Sequence, residues 1–111
     1  MPQREVRRST DFVAQAEELF PRAGSTEGRP SFELFESGPL RGAEAAFCMA
    51  FEEQRESIEG IGSIRYVLIA PTPFFRPLVI SACLLHDGVV EVVSVIEDEE
   101  YWDLIADDPG T

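Results

Sequence analysis

The stretch of residues 78–97 constrains the fold of this chain more than any other segment. Two runs rich in Val, Ile and Leu, residues 78–86 and 89–97, flank the dipeptide Asp87-Gly88. Such a dipeptide between apolar runs is typical of a β-hairpin with a two-residue type I′ turn. The sequence therefore predicts antiparallel strands in the C-terminal half of the chain.

The two-residue turn also predicts which side chains share a face of the hairpin. One face would carry Leu78, Ile80, Ala82, Leu84, Val93 and Val95, and the other Val79, Cys83, Leu85, Val90, Val92 and Ile96. Both sets are apolar, whereas a sheet with one solvated face should alternate apolar and polar residues. One helix can cover only one face. We therefore predict that the second face is covered by another helix of the chain or by a partner chain, as a homodimer or a complex.

Apolar residues at helical spacing predict two helices ahead of the hairpin. The first covers residues 10–20, with Thr10 as its N-cap and Pro21 after its last turn. The second is amphipathic, covers residues 39–57 and has Pro39 in its first turn. A third, short helix is predicted after residue 98, where acidic residues precede Tyr101 and Trp102.

Strands are predicted at two further places. In residues 31–37, Phe32 and Leu34 alternate with polar residues, and residues 64–70 form an apolar run that Pro71 ends. Residues 1–9 are polar and are predicted to be flexible or to form a short edge strand. Together these elements predict a single α+β domain over residues 1–111. Its small, mainly antiparallel sheet would have three or four strands, with an amphipathic helix on one face, an extra N-terminal helix and a short C-terminal helix.

The balance of charge limits the classes of partner. Twenty-one acidic residues face nine basic ones, which gives a formal net charge of −12. Such a chain repels nucleic-acid backbones and anionic membranes, so the charge indicates a basic protein partner or serves solubility alone. All nine basic residues are Arg, and the absence of both Lys and Asn indicates a GC-rich genome. Without Lys there is no Walker-type phosphate loop, Schiff base or Ser–Lys dyad.

Cysteine and histidine usage predicts no metal site and no cofactor. Cys48 and Cys83 lie among apolar residues on different elements, which predicts two reduced, buried thiols. His86 is the sole His, and one His with two separated Cys supplies no zinc set. No apolar leader follows Met1, and no apolar run reaches about 18 residues, so a cytoplasmic location without membrane contact is expected.

A series of short motifs in the second half carries a family resemblance. In order, these are Ile64-Arg65-Tyr66-Val67-Leu68-Ile69, Thr72-Pro73-Phe74-Phe75, the hairpin around Asp87-Gly88, Val90-Glu91-Val92-Val93-Ser94-Val95 and Tyr101-Trp102. This stretch resembles the RelE/ParE superfamily of bacterial toxins from type II toxin–antitoxin pairs, whose members place a strand and helices before a run of antiparallel strands. The resemblance implies that residues 31–37 and 39–57 form the opening strand and helix of that fold.

The resemblance implies two kinds of activity. The ribonuclease branch of the family implies that Arg65, Arg76, His86 and Tyr101 stand near the messenger RNA. However, Glu97-Asp98-Glu99-Glu100 occupies the place where that branch carries a basic residue, and four carboxylates would repel the scissile phosphate. We therefore expect a RelE/ParE-like toxin-family protein that acts through protein–protein contact and not through RNA cleavage, as the gyrase-directed branch does.

Two alternatives to this function stay open. The first is an acidic, non-toxic binding protein, such as an immunity protein or an inhibitor that mimics a polyanion, which the net charge favours. The second is a ribosome-associated mRNA endoribonuclease that uses the four residues just named. The sequence does not decide whether the protein is an enzyme, although its acidic residues favour a binding protein.

Partner-contact residues are predicted at three places. The connection 72–77 holds two Phe and an Arg between prolines, and the second face of the hairpin contains Val92. Tyr101-Trp102 is an amphipathic aromatic pair, which is common in interfaces and also where a terminal helix packs onto a core. The predicted contact set is Phe74, Phe75, Arg76, Val92, Tyr101 and Trp102.

Overall fold

The computed structural model describes residues 3–23 and 28–98 of the chain. Its elements are β1 (Val6–Arg8), α1 (Thr10–Leu19), α2 (Phe32–Phe35), a π-helical turn (Glu36–Leu40), α3 (Arg41–Ala50), a 3-10 turn (Phe51–Glu53), β2 (Arg55–Ile58), β3 (Ile61–Ile69), β4 (Leu78–Leu84) and β5 (Val90–Glu97). The predicted α+β class and the helix predicted over residues 10–20 are confirmed. The predicted C-terminal helix lies outside the described residues.

The sheet of the described residues has five strands in the order β1-β5-β4-β3-β2, and it is mixed. β1 pairs in parallel with β5, and the other neighbours are antiparallel. Of the two alternatives predicted for residues 1–9, a flexible segment or an edge strand, the strand is present as Val6–Arg8, and three or four strands were too few. The extra strand is β2, which was predicted to be the end of the second helix. Gly60, with a φ of 87°, turns β2 into β3, and this left-handed conformation favours glycine.

Residues 31–37 were predicted to form a strand, and this prediction is wrong. Ser31 caps α2 because its hydroxyl accepts a hydrogen bond from the Leu34 N–H at 3.3 Å. Phe32 and Phe35 are both fully buried, whereas Leu34 is 42% exposed. Burial at a spacing of three residues is helical, and it overrides the alternation of Phe32 and Leu34. The π-helical turn, which contains Pro39, then leads without a break into α3.

The turn between β4 and β5 has three residues instead of the predicted two. The Gly88 N–H donates to the Leu85 carbonyl at 2.9 Å, and the Leu85 N–H donates to the Val89 carbonyl at 2.8 Å. Gly88 has a φ of 88°, and no other residue type has a positive φ in the described chain, so Asp87 does not adopt the conformation that a type I′ turn requires. The longer turn shifts the pairing by one residue, to Leu84 opposite Val90.

A β-bulge at Val93 reverses this shift. Ala82 lies opposite Val92 but Ser81 lies opposite Ser94, so the pairing from there onward agrees with the prediction. Between the turn and the bulge, each residue of β5 therefore points to the face opposite to the predicted one. Val90 and Val92 are fully buried in the core, and Glu91 lies on the other face of the sheet.

The core lies between the two helices and one face of the sheet. Phe12 and Ala16 of α1 and Phe47 of α3 pack in the same buried cluster as the strand residues of that face. The strand residues in this cluster are Leu78, Ile80, Ala82, Val90, Val92 and Val95. Because α1 and α3 lie on the same side, α1 does not cover the second face of the sheet.

α1 also covers an edge of the sheet. β1 pairs only with residues 90–92 of β5, so the second half of β5 has β4 on one side and no strand of the described residues on the other. There the Val95 N–H donates a hydrogen bond to Gln15 Oε1 at 2.7 Å. A side chain of α1 thus satisfies a backbone donor that would otherwise remain unpaired beneath the helix.

We expect Gln15→Met to lower the free energy of unfolding by about 1 kcal/mol, because it keeps the length of the side chain but removes the acceptor. Urea denaturation would measure this loss, and amide hydrogen exchange would show faster exchange at Val95. Gln15→Glu retains an acceptor oxygen and serves as the control. Unchanged exchange at Val95 in Gln15→Met would contradict the assigned role of the side chain.

Candidate protein-binding face

The face of the sheet opposite to the helices is called the open face below. It comprises alternate residues of the three central strands: Ile64, Tyr66 and Leu68 of β3, Val79, Ser81 and Cys83 of β4, and Ser94 and Ile96 of β5. Leu68, Val79 and Ile96 lie side by side in one row, and Tyr66, Ser81 and Ser94 form the next. None of these side chains is buried by the part of the chain that the structure describes, and Ile96 is 46% exposed.

One end of the open face forms a groove with an apolar floor and an acidic rim, called the acidic groove below. Its volume is about 490 Å³, and it is lined by Glu56, Ser57, Glu59, Tyr66, Val79, Ser81, Ile96 and Asp98. Val79 and Ile96 supply the apolar floor. The carboxylates come from the β2–β3 hairpin and from Asp98, whose N–H donates to the Pro77 carbonyl at 3.1 Å.

Cations are less frequent than carboxylates around the open face. At the β1 end, the Arg7 guanidinium donates to Glu91 at 3.0 Å, so that pair carries no net charge. At the β2 end Arg55 lies opposite Tyr66 and Arg65 lies opposite Glu56, so two cations stand beside the three carboxylates of the acidic groove. The open face therefore combines an apolar centre with a local excess of negative charge.

Of the predicted partner contacts, Phe74 is accessible and two others are not. Thr72 Oγ1 accepts hydrogen bonds from the N–H groups of Phe74 and Phe75 at 3.1 and 3.0 Å, which holds the turn that presents Phe74. Phe74 is 68% exposed, but Phe75 is buried and packs edge-on against Phe20 with ring centroids 5.5 Å apart. Val92 is fully buried as well, so Phe75 and Val92 are removed from the contact set.

Arg76 is exposed and lines a cavity of about 370 Å³ behind the Phe74 turn. The same cavity contains Arg29, which donates to Glu97 at 3.1 Å. Tyr101 and Trp102 lie outside the described residues. The sequence signal that was missed is in β3, where Ile64, Tyr66 and Leu68 supply three of the eight residues of the open face.

The residues implied for RNA cleavage do not come together. Arg76 precedes β4 and His86 follows it, and a strand of seven residues separates them by about 20 Å or more. Arg65 points to the core side, where its guanidinium donates to the carbonyls of Gly62 and Gln54, both at 2.8 Å, and lies 5.7 Å from the centre of the Phe51 ring. Tyr101 is outside the described residues. The three described residues therefore form no common site.

Carboxylates of the same chain bind most of the arginines in the described segments. Ion pairs join Arg4 to Glu52, Arg7 to Glu91, Arg8 to Glu36 and Glu44, Arg22 to Glu17, and Arg29 to Glu97. The hydrogen bonds with Glu44, at 2.9 and 3.1 Å, raise the pKa of Arg8 above its ordinary value. The hydrogen bond from Arg4 lowers the pKa of Glu52. These pairs neutralise cations that could otherwise attract a phosphate backbone.

We expect the purified protein to leave a defined message intact on ribosomes, because its acidic surface repels RNA and Arg65 is occupied by backbone carbonyls. Primer extension would map the products, and Arg65→Ala and Arg76→Ala should give the same pattern as the unaltered protein. Specific cuts that disappear in either variant would contradict this expectation and favour the endoribonuclease.

The two thiols are less buried than predicted. Cys48 of α3 and Cys83 of β4 are both free and half-buried. Cys83 lies on the open face, opposite Ile64, and its thiol can therefore report on whatever covers that face. Cys48 lies on the helix layer and provides an internal reference for thiol reactivity.

Three further findings concern metals, membranes and relatives. Within residues 3–23 and 28–98, no group of three or more His, Cys, Asp or Glu side chains could hold a metal ion. The helices of this part of the chain are too short or too polar to cross a membrane. Scans against protein-family models, curated proteins and solved structures each found no match to this chain.

Proposed function

We propose that the protein is a binding module that acts on another protein through the open face of its sheet. The observation that carries this proposal is the row of apolar side chains Leu68, Val79 and Ile96, which no described element covers. An antiparallel sheet with a solvated face normally presents polar residues there. Contiguous exposed apolar surface is typical of interaction sites.

A protein partner fits this face better than a nucleic acid does. The acidic groove adds Glu56, Glu59 and Asp98 to a chain whose net charge is −12. These charges repel a phosphate backbone, while most arginines of the described chain are engaged with carboxylates. The proposal includes no cofactor, and it keeps the cytoplasmic location expected from the sequence.

The resemblance to the RelE/ParE superfamily makes a toxin-family protein the more specific form of the proposal. The order of a strand, helices and then antiparallel strands supports it, although the opening strand is Val6–Arg8 and not residues 31–37. A toxin of this kind should arrest bacterial growth when its expression is induced, and Leu68→Glu should relieve the arrest. The acidic, non-toxic binding protein is the second candidate, and the net charge favours it. Induction without growth arrest would favour that candidate.

Site-specific photo-crosslinking would test the role of the open face. A benzophenone side chain at position 96, introduced in the native cells, should give one discrete adduct with a second protein. The matched control is position 34, because Leu34 is 42% exposed against 46% for Ile96 but lies on the helix layer. Leu68→Glu, in the same row as Ile96, should abolish the adduct without unfolding the protein. Equal adducts from positions 34 and 96 would refute the proposal.

A further inference from the structure

We infer that the partner lays a basic amphipathic helix across the open face, with its apolar side on Val79 and Ile96 and its Lys or Arg residues against the acidic groove. This inference rests on the proposed function, because it names the partner of the same face. Three observations carry it. The acidic groove has an excess of carboxylates, the edge strands are short or irregular, and a two-fold dimer through the open face would bring like charges together.

Charge selects a basic partner. Glu56 and Glu59 are exposed, and neither forms an ion pair with the residues that the structure describes. Together with Asp98 they outnumber the two nearby cations, Arg55 and Arg65, of which Arg65 lies opposite Glu56, and the net charge of −12 adds a long-range attraction for cations. Apolar residues in a row between such carboxylates match a helix that has one apolar stripe and basic flanks.

The sheet edges disfavour an added strand, so the partner is better placed on the face. β2, at one edge, has four residues that are all exposed, and its pairing with β3 is irregular between Glu56 and Ile58. Short, charged and irregular edges resist strand addition. At the other edge, β1 has three residues. A sheet face is normally covered by a helix, as α1 and α3 already do on the core side.

A second copy of this chain is a poorer occupant. In a two-fold dimer the same patch contacts its own copy, so two acidic grooves would share one interface. Glu56, Glu59 and Asp98 would then be brought toward the same carboxylates of the other protomer. Like charges in an interface oppose association, whereas a basic helix removes this repulsion.

The experiment uses the full chain and three fluorescein-labelled synthetic peptides, each about five helical turns long. The first is a Leu/Lys peptide with Leu at helical spacing, the second replaces every Lys with Glu, and the third is a scrambled Leu/Lys sequence. Fluorescence anisotropy should show binding of the first, no binding of the second, and at least about tenfold weaker binding of the scrambled peptide. Higher salt should weaken the first interaction.

Variants then locate the binding. Glu56→Gln with Glu59→Gln should weaken binding of the Leu/Lys peptide about fivefold, and Ile96→Ser about tenfold. The control is Asp11→Asn with Glu33→Gln, which changes the net charge equally but on the helix layer, and it should alter binding less than about twofold. The bound peptide should also slow alkylation of Cys83 and leave Cys48 unaffected.

Several results would overturn the inference. These are equal binding of the acidic peptide, an equal loss in the helix-layer control, or a dimer in sedimentation that Ile96→Ser dissociates. A red shift of Trp102 emission in the isolated Ile96→Ser monomer would instead assign the open face to residues 99–111 of the same chain. If the Leu/Lys peptide fails while crosslinking from position 96 still gives its adduct, the partner chemistry is wrong and the proposed function survives. If both fail, the proposed function falls as well.

Discussion

Val92→Glu will unfold this protein, whereas Ile96→Glu will leave it folded. Both residues belong to β5 and both are apolar, but Val92 is fully buried in the core and Ile96 is 46% exposed on the open face. A carboxylate at position 92 has no cation beside it in the core, since no charged residue of the described segments is buried. An unpaired buried charge costs about 3–5 kcal/mol, which is comparable to the whole stability of a small domain.

Urea denaturation followed by far-UV circular dichroism would measure this difference. Val92→Glu should already show little native signal without urea, and Ile96→Glu should shift the free energy of unfolding by no more than about 1 kcal/mol. Val92→Ala serves as the size control, because it removes apolar atoms at the same buried position without adding a charge, and it should cost about 2 kcal/mol. A folded Val92→Glu protein would mean that Val92 faces outward, as the two-residue turn predicted.

The sequence does not show on which face of the sheet Val92 lies, because the turn before β5 can have either of two lengths. Asp87-Gly88 suits a two-residue turn, and it equally suits a three-residue turn that ends in a left-handed Gly88. An amphipathic strand would have resolved the choice, because a shift of one residue exposes its apolar side. Here Val90, Val92 and Val93 are all apolar, so both alignments look acceptable along the chain. Packing against α1 and α3 decides between them.

Other elements were predictable in proportion to the strength of their local signals. α1 combines helical spacing of apolar residues with a final Pro21, and it forms nearly as predicted, although Ser9 and not Thr10 caps it. Residues 31–37 are short, and a few apolar residues fit either a strand or a helix. The Ser31 cap indicated a helix, but the alternation of Phe32 and Leu34 concealed it.

The candidate site was predictable only in outline. The hairpin predicted a second apolar face that another helix or a partner chain would cover; of its predicted residues, Val79, Cys83 and Ile96 lie on the open face, whereas Val90 and Val92 are buried in the core. The rim was not foreseeable, because Glu56 was assigned to the second helix and Glu59 to the loop after it. Both reach the acidic groove only because Gly60 turns β2 back along β3. This arrangement depends on the pairing of two segments and not on the conformational preference of either segment alone.

The second large effect concerns Phe35, whose replacement by Ala should lower the free energy of unfolding by about 3–5 kcal/mol. Phe35 stacks on Phe20 with ring centroids 4.7 Å apart and contacts Phe12, Phe32 and Phe75 at 6.4, 6.2 and 6.5 Å. It therefore links α2 to α1 and to the connection between β3 and β4. Phe74→Ala removes a ring of the same size that is 68% exposed, so it should change stability by less than about 0.5 kcal/mol.

The same measurement distinguishes the helix at residues 32–35 from the strand that the sequence predicted. In the helix, Phe32 and Phe35 share the buried side and Leu34 is exposed, so Phe32→Ala and Phe35→Ala should both be costly and Leu34→Ala nearly neutral. In a strand, Phe32 and Leu34 would share one face and Phe35 would lie on the other. Urea titrations should therefore show a large loss in the free energy of unfolding for Phe32→Ala and Phe35→Ala, and a much smaller loss for Leu34→Ala. A large loss for Leu34→Ala together with a small one for Phe35→Ala would contradict the helix, because in the helix Leu34 is exposed and Phe35 is fully buried.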